Sequence, residues 1–448
     1  MYRNIKFNRR GFPASTACIA ALFAVAGTVS AAQPIASPAT KSAPAQAGTN
    51  VAGAQPFSLK DAYEQAWARQ PEAQSYSARE EAAGARRDAA TSLTAEPPAL
   101  ELLGKSDRLN RNFGSREYEI GVALPLWLPG ERSRSIALAD AESGALAARF
   151  SAIRLRLAAA VREAYWNWQR ATVELALAGE RVTNAGVLAE DVRRRVRAGD
   201  LARADQHQAD GNLAAAQTAM AESRSQWVTA RQQLLQLTGT ASGVARLPGS
   251  TQAPPATEAV PPLPAPNTGM SEAHPEIADP LAQAEAAKRA ADLARIQKRA
   301  NPELTISTTR DRGDFADPYQ QSITMALRIP FGSDARYRIK TATARADTLE
   351  AETQLRLARE RVGSEIEAAR QRMESARAVN EAASLRARLA SETRGFFERS
   401  FRLGETDLPT RLRVELEAAE SQRQAQRAQI DYAASISALR QALGLIPE

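Results

Sequence analysis

The chain has 448 residues, and its 58 Lys and Arg against 51 Asp and Glu give a net charge of +7. Aromatics are only 5%, and the 44% hydrophobic content is carried largely by Ala, too small to fill a wide globular core; an excess of Ala, Arg, Glu, Gln and Leu is the profile of long helices packed at close range. One Cys and two His, His207 and His274, exclude a Cys/His zinc site, and nothing after residue 32 approaches the roughly 18 consecutive apolar positions of a membrane-spanning helix.

Arg9 and Arg10 precede an apolar run from Ala14 to Val29, followed by Ser30, Ala31 and Ala32. That order predicts a secretory signal peptide over residues 1–32, cut after Ala31 or Ala32. A lipoprotein acylated on Cys18 would want a Leu-like residue three positions earlier, where Ser15 stands. Cleavage after the alanines leaves an exported chain with no cysteine and no disulfide. Residues 33–56 read as a flexible Ala/Pro/Ser tail with nothing to bury.

The chain then repeats itself. Gln70-Pro71-Glu72 returns 204 residues later as His274-Pro275-Glu276, and Pro98 returns as Pro302 at the same offset. Pro125 matches Pro330, Gly199 matches Gly404 and Gly239 matches Gly444, each 205 residues on. Internal periodicity of this kind decides an architecture. It divides the chain into a first repeat over 57–239, a Pro-rich linker over 240–269, a second repeat over 270–444 and a short tail over 445–448. The linker prolines favour an extended polyproline II path.

Within each repeat the predicted order is helix, two strands, long helix, helix. Residues 131–198 contain no proline and, at 1.5 Å per residue, would make one helix of about 100 Å. Phe150, Ile153, Leu157, Ala160, Ala164, Asn167 and Ala171, then Ala178, Val182, Ala185, Val192 and Val196, step by three and four like a coiled-coil seam. Val362, Ile366, Ala369, Met373 and Ala376 repeat it. Each long helix should reverse sharply at a glycine, Gly199 or Gly404, which can take the left-handed conformation that ends a helix. Asp200 and Asp407 are the expected caps of the helices that follow, and Pro409 falls in a first turn, where proline is tolerated.

The strands alternate. Tyr118, Ile120, Val122 and Leu124 share one face, with Glu117, Glu119, Gly121 and Ala123 on the other; Ile323, Met325, Leu327 and Ile329 oppose Ser322, Thr324, Ala326 and Arg328. The period alone fits either a soluble half-buried sheet or a membrane β-barrel. The export signal and the lack of an evident aromatic core favour the barrel, with Ile120, Val122, Ile323 and Met325 toward lipid and Glu117 and Glu119 toward a water-filled lumen. Four strands cannot close, and lipid tolerates no open edge, so several chains must combine.

These features resemble the TolC family of outer membrane efflux ducts over nearly the whole mature chain. The likeness is carried by Phe57-Ser58-Leu59 with Ala62 and Ala66, the Pro71 and Pro275 sites, the Leu-Pro-Leu-Trp and Arg-Ile-Pro-Phe-Gly strand exits, the glycine tips, and the closing Leu-Thr-Gly and Ala-Leu-Gly. The resemblance implies a mainly α fold with a membrane β part: long antiparallel coiled-coil helices forming a periplasmic tunnel, and four strands per chain in a shared outer-membrane barrel. It further implies a homotrimer in the outer membrane of a Gram-negative bacterium, working passively with a periplasmic adaptor and a proton-driven inner-membrane pump, without a cofactor. The Gly404-Glu405-Thr406 tip and the strand exits are similar to ducts of heavy-metal cation efflux, with drug efflux the alternative. At the tips, the resemblance makes Asp205 the family's acidic lock position. Phe401 stands where a Tyr is expected and Thr406 where an Arg is expected, while Thr410 and Arg413 stand where the best-known members have an acidic ring. Arg411 or Arg413 is then the available partner for Asp205.

Other classes fit less well. There is no phosphate-binding glycine loop, no metal-ligand pair at helical spacing and no Ser with a His partner, so an enzyme is not expected; His274 should simply end a loop. The Arg193–Arg197 cluster suits a helix C-terminus better than nucleic acid. A periplasmic coiled-coil adaptor would carry one helical hairpin between small β domains, whereas this chain carries two hairpins and two strand pairs. A duct for type I protein secretion is a further alternative.

Overall fold

The computed structural model describes residues 57–239, 257–262, 272–332 and 334–448. The expected signal peptide, the tail over 33–56 and most of the linker lie outside the described residues. Helix α1 (Leu59–Ala68) starts on a reciprocal cap: Asp61 N–H donates to the Ser58 hydroxyl at 3.1 Å, and Ser58 N–H donates to the Asp61 carboxylate at 3.0 Å. Helix α2 (Pro71–Thr91) begins on proline, whose missing N–H is harmless in a first turn. Then come β1 (Ala99–Ser106), β2 (Arg116–Pro125), α3 (Glu131–Ala198) and α4 (Arg203–Thr238). The second half supplies α5 (Pro275–Ile296), β3 (Glu303–Arg312), β4 (Gln320–Arg328), α6 (Asp334–Arg402) and α7 (Leu408–Ala442).

The two halves match in dimension. Helices α3 and α6 have 68 and 69 residues, and α4 and α7 have 36 and 35. Their closing glycines also play one role. Gly239 and Gly444 have φ of 76° and 78°, and a Cβ on either would collide with residues entering the proline-headed helix of its own half, α2 or α5. Arg69 fills that space over Gly239; His274 and Pro275 fill it over Gly444. His274 does more than end a loop. It caps α5, its Nδ1 accepting from Glu276 N–H at 3.2 Å while Nε2 lies 3.1 Å from the Ala442 carbonyl oxygen.

The core departs from the expected narrow seam. Val362 and Ala369 of α6 are buried and Ile366, Met373 and Ala376 half-buried, as a 3.5-residue stripe requires. In α3, however, nearly the whole circumference is covered between Leu155 and Leu175, because α1, α4 and α7 all pack there. Most of the buried aromatics meet at this one node: Tyr63, Tyr165, Trp166, Trp168 and Trp227, with Phe57 and Trp67 packed against them; only Phe401, among the described residues, is buried elsewhere. The expectation of no aromatic core is thus corrected. Composition averages over the chain, while the rings are concentrated where four helices meet. Trp227 Nε1 donates to Thr172 Oγ1 at 3.1 Å, satisfying one of the polar edges that this burial creates.

The four strands make one antiparallel sheet in the order β1-β2-β3-β4. Among the described residues no helix is long and apolar enough to cross a membrane.

Candidate functional site

Three places in the fold bear on function: the sheet, the helix tips, and a buried charge cluster midway between them.

In the sheet, the register puts Leu100, Val122, Ile306 and Met325 in one cross-strand row and Leu102, Ile120, Thr308 and Ile323 in the next. Period-two alternation places these rows on one face. Its apolar side chains are open to the surroundings: Ile120 is 55% exposed, Val122 41%, Ile323 80% and Met325 71%. The other face carries Leu103, Glu119, Thr309 and Ser322 in one row and Lys105, Glu117 and Asp311 in another, with Lys105 Nζ 3.4 Å from Glu117. Toward the helices that second face narrows to Gly121, Ala123 and Ser307; a Cβ on Gly121 would lie 3.0 Å from the Ser307 Cβ. Small residues let the sheet curl toward this side.

The sheet is anchored to the helices through Glu131, the first residue of α3. Its buried carboxylate accepts from Leu128 N–H at 2.9 Å, Gln297 Nε2 at 2.5 Å and Asn301 Nδ2 at 3.0 Å. One side chain of the first repeat thereby holds the chain entering β3 in the second.

At the tips, Gly199 and Gly404 end α3 and α6 with φ of 89° and 80°. Asp200 N–H donates back to the Arg195 carbonyl at 2.9 Å, and Glu405 N–H to the Ser400 carbonyl at 3.0 Å, the bond pattern that closes a helix on a left-handed residue. Asp407 caps α7 as expected, its carboxylate accepting from Thr410 N–H at 3.3 Å. Asp200 does not cap α4. The chain needs two more residues to reverse, so Ala202 occupies the cap position and Asp205 reaches back to its N–H at 3.0 Å.

Among the described residues, no ion pair joins Asp205 to Arg411 or Arg413 within one copy. Asp205 is committed to its own helix start, and Arg413 is exposed. Arg411 instead stacks on Phe401, its Cζ 4.7 Å from the ring centroid, while Arg195 stacks on the same ring at 4.8 Å. Arg195 also donates to the Phe401 carbonyl oxygen at 3.3 Å. Phe401 is buried among Leu188, Ala189, Val192, Ala209, Leu408 and Leu412. Burial holds the half-buried Arg411 guanidinium below its ordinary value, and Glu398, Glu415 and Asp191 oppose that shift. Thr406 is tied to the end of α6, its hydroxyl 2.6 Å from that of Ser400. The tip is therefore an arginine–phenylalanine–arginine stack in an apolar nest.

The third place was not visible in the sequence. Glu258, within the stretch expected to be a passive linker, is buried between two helices. Its carboxylate lies 3.1 Å from Arg162 Nη2 of α3 and 3.2 Å from Arg440 Nε of α7, and also accepts from the Ser437 hydroxyl. Arg162 further donates to Gln441 Oε1 at 2.6 Å and the Leu445 carbonyl at 2.9 Å; Arg440 donates to the Ala259 carbonyl at 3.2 Å. Burial pushes the Arg162 guanidinium below its ordinary value, and the Glu258 carboxylate pulls it back. Here the linker is a clasp. The available signal was Glu258 itself, the one acidic residue over 240–269.

Residues 62–240 match the family model for the outer membrane efflux protein, covering most of the first repeat. Over that span the chain is similar to outer membrane efflux proteins. No curated protein matches the sequence. Several solved structures share the fold at low identity. A CusC structure described in terms of folding and transmembrane channel formation is 17% identical, with 86% of this chain and 92% of that one covered and a TM-score of 0.71. The CmeC outer membrane channel of Campylobacter jejuni is 16% identical, with 86% and 85% covered and a TM-score of 0.69. The outer membrane protein VceC of Vibrio cholerae is 18% identical, with 86% and 96% covered and a TM-score of 0.67.

Proposed function

We propose that the chain is the exit duct of a tripartite efflux system, a homotrimer that passively conducts cargo delivered by an inner-membrane pump and a periplasmic adaptor. The observation that carries this reading is the open sheet. Its end strands, β1 and β4, are exposed along their whole length, and one face is apolar while the other bears Glu101, Glu117, Glu119, Glu303 and Asp311. In lipid such edges must be paired, and three copies supply twelve strands, an even number within the range of closed outer-membrane barrels. The apolar rows with Ile120, Val122, Ile323 and Met325 then meet lipid, and the face with Glu117 and Glu119 lines water. Helices α3, α4, α6 and α7 continue that lumen into the periplasm, and their tips meet the adaptor and pump.

Conduction needs no chemistry in this picture. The wall supplies a wet path, and the energy comes from the pump. An inner face richer in carboxylates than in Lys or Arg lowers the cost of a cation more than that of an anion. Together with the Gly404-Glu405-Thr406 tip, this favours metal cations over drugs as cargo. Two measurements test the reading. The detergent-extracted protein should be a trimer with discrete conductance in planar bilayers, and a conducting monomer would overturn the architecture. A strain lacking the chain should become sensitive to heavy-metal salts, and sensitivity to drugs alone would overturn the cargo assignment.

A further inference from the structure

Toward its hairpin loops, the apolar face of the sheet ends in an unpaired cationic belt. On β2 that face runs Leu124, Val122, Ile120, Tyr118, Arg116; on β3 it runs Leu304, Ile306, Thr308, Arg310, Arg312. The register sets Arg116 directly opposite Arg312, and Tyr118 directly opposite Arg310. Like charges opposed across a ladder are destabilising without a counter-charge. None comes from the chain: no ion pair involves Arg116, Arg310 or Arg312 among the described residues. The neighbouring carboxylates Glu117 and Asp311 alternate to the other face, where Glu117 is taken by Lys105. The guanidiniums are nevertheless held together. Arg310 and Arg312 both stack on Tyr319, at 4.9 and 4.8 Å from its centroid, and Arg312 also lies 5.3 Å from the centroid of Phe315 and donates to the Gly114 carbonyl oxygen at 3.0 Å.

Resting on the outer-membrane reading above, the geometry points to a binding site on this belt for the phosphorylated headgroup of an outer-leaflet lipid. The belt lies at the end of the sheet away from the helices, which is the outer end when the helices stand in the periplasm. Its arginines share the face that lipid covers, so a headgroup reaches them while its acyl chains lie along Val122, Ile306 and Met325. Tyr118 lies level with Arg310, and Tyr319 stacks on Arg310 and Arg312, so the rim mixes rings with charges, as a membrane interface does. Guanidinium matches phosphate with paired N–H donors, and a clustered set of arginines near a membrane surface recognises anionic headgroups rather than single ions.

The test uses the full chain purified in detergent and stripped of lipid, with binding measured for bisphosphorylated lipid A, the same lipid dephosphorylated, and inorganic phosphate. The bisphosphorylated lipid should bind about tenfold more tightly than the dephosphorylated one. Arg116→Gln/Arg310→Gln/Arg312→Gln should abolish that preference. Because Arg312 also ties the loops together, Arg116→Gln/Arg310→Gln, which spares its bond to Gly114, should still reduce the preference severalfold. Arg108→Gln/Arg111→Gln, removing equal charge from the loop beyond the belt, should leave it intact. A preference that survives the triple variant, or is lost equally in the loop variant, overturns the inference, as does inorganic phosphate binding as tightly as the lipid. The phosphate preference decides this site, and conduction by the same preparations separately decides the channel reading.

Discussion

Glu258 gives the sharpest energetic test of how the two repeats are held together. Glu258→Ala removes the only carboxylate among the described residues that Arg162 and Arg440 share, and their side chains are 5% and 6% exposed. Two guanidiniums would then stay buried with one fewer charge partner, and the Ser437 hydroxyl would lose its acceptor. Removing one member of a buried ion pair costs about 3–5 kcal/mol, mostly as the penalty of the charge left behind. Arg440 keeps a contact to Glu448 at 2.9 Å, but that carboxylate is largely exposed and screens poorly. The expected loss therefore lies in that range, centred on Arg162. Urea unfolding of the detergent-solubilised protein, followed by tryptophan fluorescence, reads it well because Trp166 lies one helical turn from Arg162. Glu258→Gln keeps the shape without the charge and should recover little. In an Arg440→Met background, Glu258→Ala should cost clearly less than in the parent, since one of the stranded charges is gone. A loss below about 1 kcal/mol for Glu258→Ala, or no coupling to Arg440, would show that this segment is the passive linker its prolines suggest.

Val122→Arg should destabilise the assembled barrel by about 2–4 kcal/mol if it lies near the bilayer midplane, whereas Glu119→Arg should be tolerated; equal yields of heat-resistant trimer from outer membranes would refute the facing. Phe401→Ala should cost the tip about 3–5 kcal/mol and raise single-channel conductance, with Phe401→Leu milder; unchanged conductance in both would remove the stack from the gate. Asp205→Ala and Arg413→Ala should be additive in conductance and stability to within about 0.5 kcal/mol, and a larger coupling would mean that the pair forms between copies. Asp407 is held below its ordinary value of 3.8, chiefly by its hydrogen bond to the Thr410 side chain. Since the folded value is the lower one, its stabilisation is present above pH 3.8 and is lost as pH falls through the folded value. Hydrogen exchange at the start of α7 should quicken on that acid side and lose this dependence in Asp407→Asn.

What could be read in advance follows from the range of each interaction. Helix lengths, the glycine reversals and the strand faces depend on residues a few positions apart, so Gly199, Gly404 and the Ile120–Val122 alternation announce themselves locally. The aromatic node could not be read that way. Tyr63, Trp168 and Trp227 come from three separated helices, and only the fold brings them together. Asp200 fails as the cap of α4 for a different reason. Any Asp after a helix-ending glycine can cap, and the choice between Asp200 and Asp205 turns on how many residues the reversal consumes. Glu258 was hidden by its neighbours, because proline-rich composition describes a segment's average and not the one side chain that docks.

The two kinds of contact divide the molecule into parts of different stiffness. From the sheet to the middle of the long helices, the repeats are joined by enclosed carboxylates: Glu131 binds Gln297 and Asn301 beside the sheet, and Glu258 binds Arg162 and Arg440 at mid-length. Each leaves buried charge or orphaned donors if it opens, so partial opening there is costly. At the tips, many of the ion pairs lie within one helix, such as Arg194 with Asp191 and Arg402 with Glu398, and Arg193 with Asp210 joins only the two helices of one hairpin. What links one hairpin to the other there is the small apolar cluster around Phe401 and its two stacked arginines. Stacking is weaker and less directional than an enclosed ion pair, and an arginine drawn off the ring can be rehydrated. On the proposed function, a duct that must stay sealed in the membrane while its far end parts would be held firmly from the sheet to mid-helix and loosely at Phe401, so the tip is where a docking partner would shift the balance with contacts of modest strength.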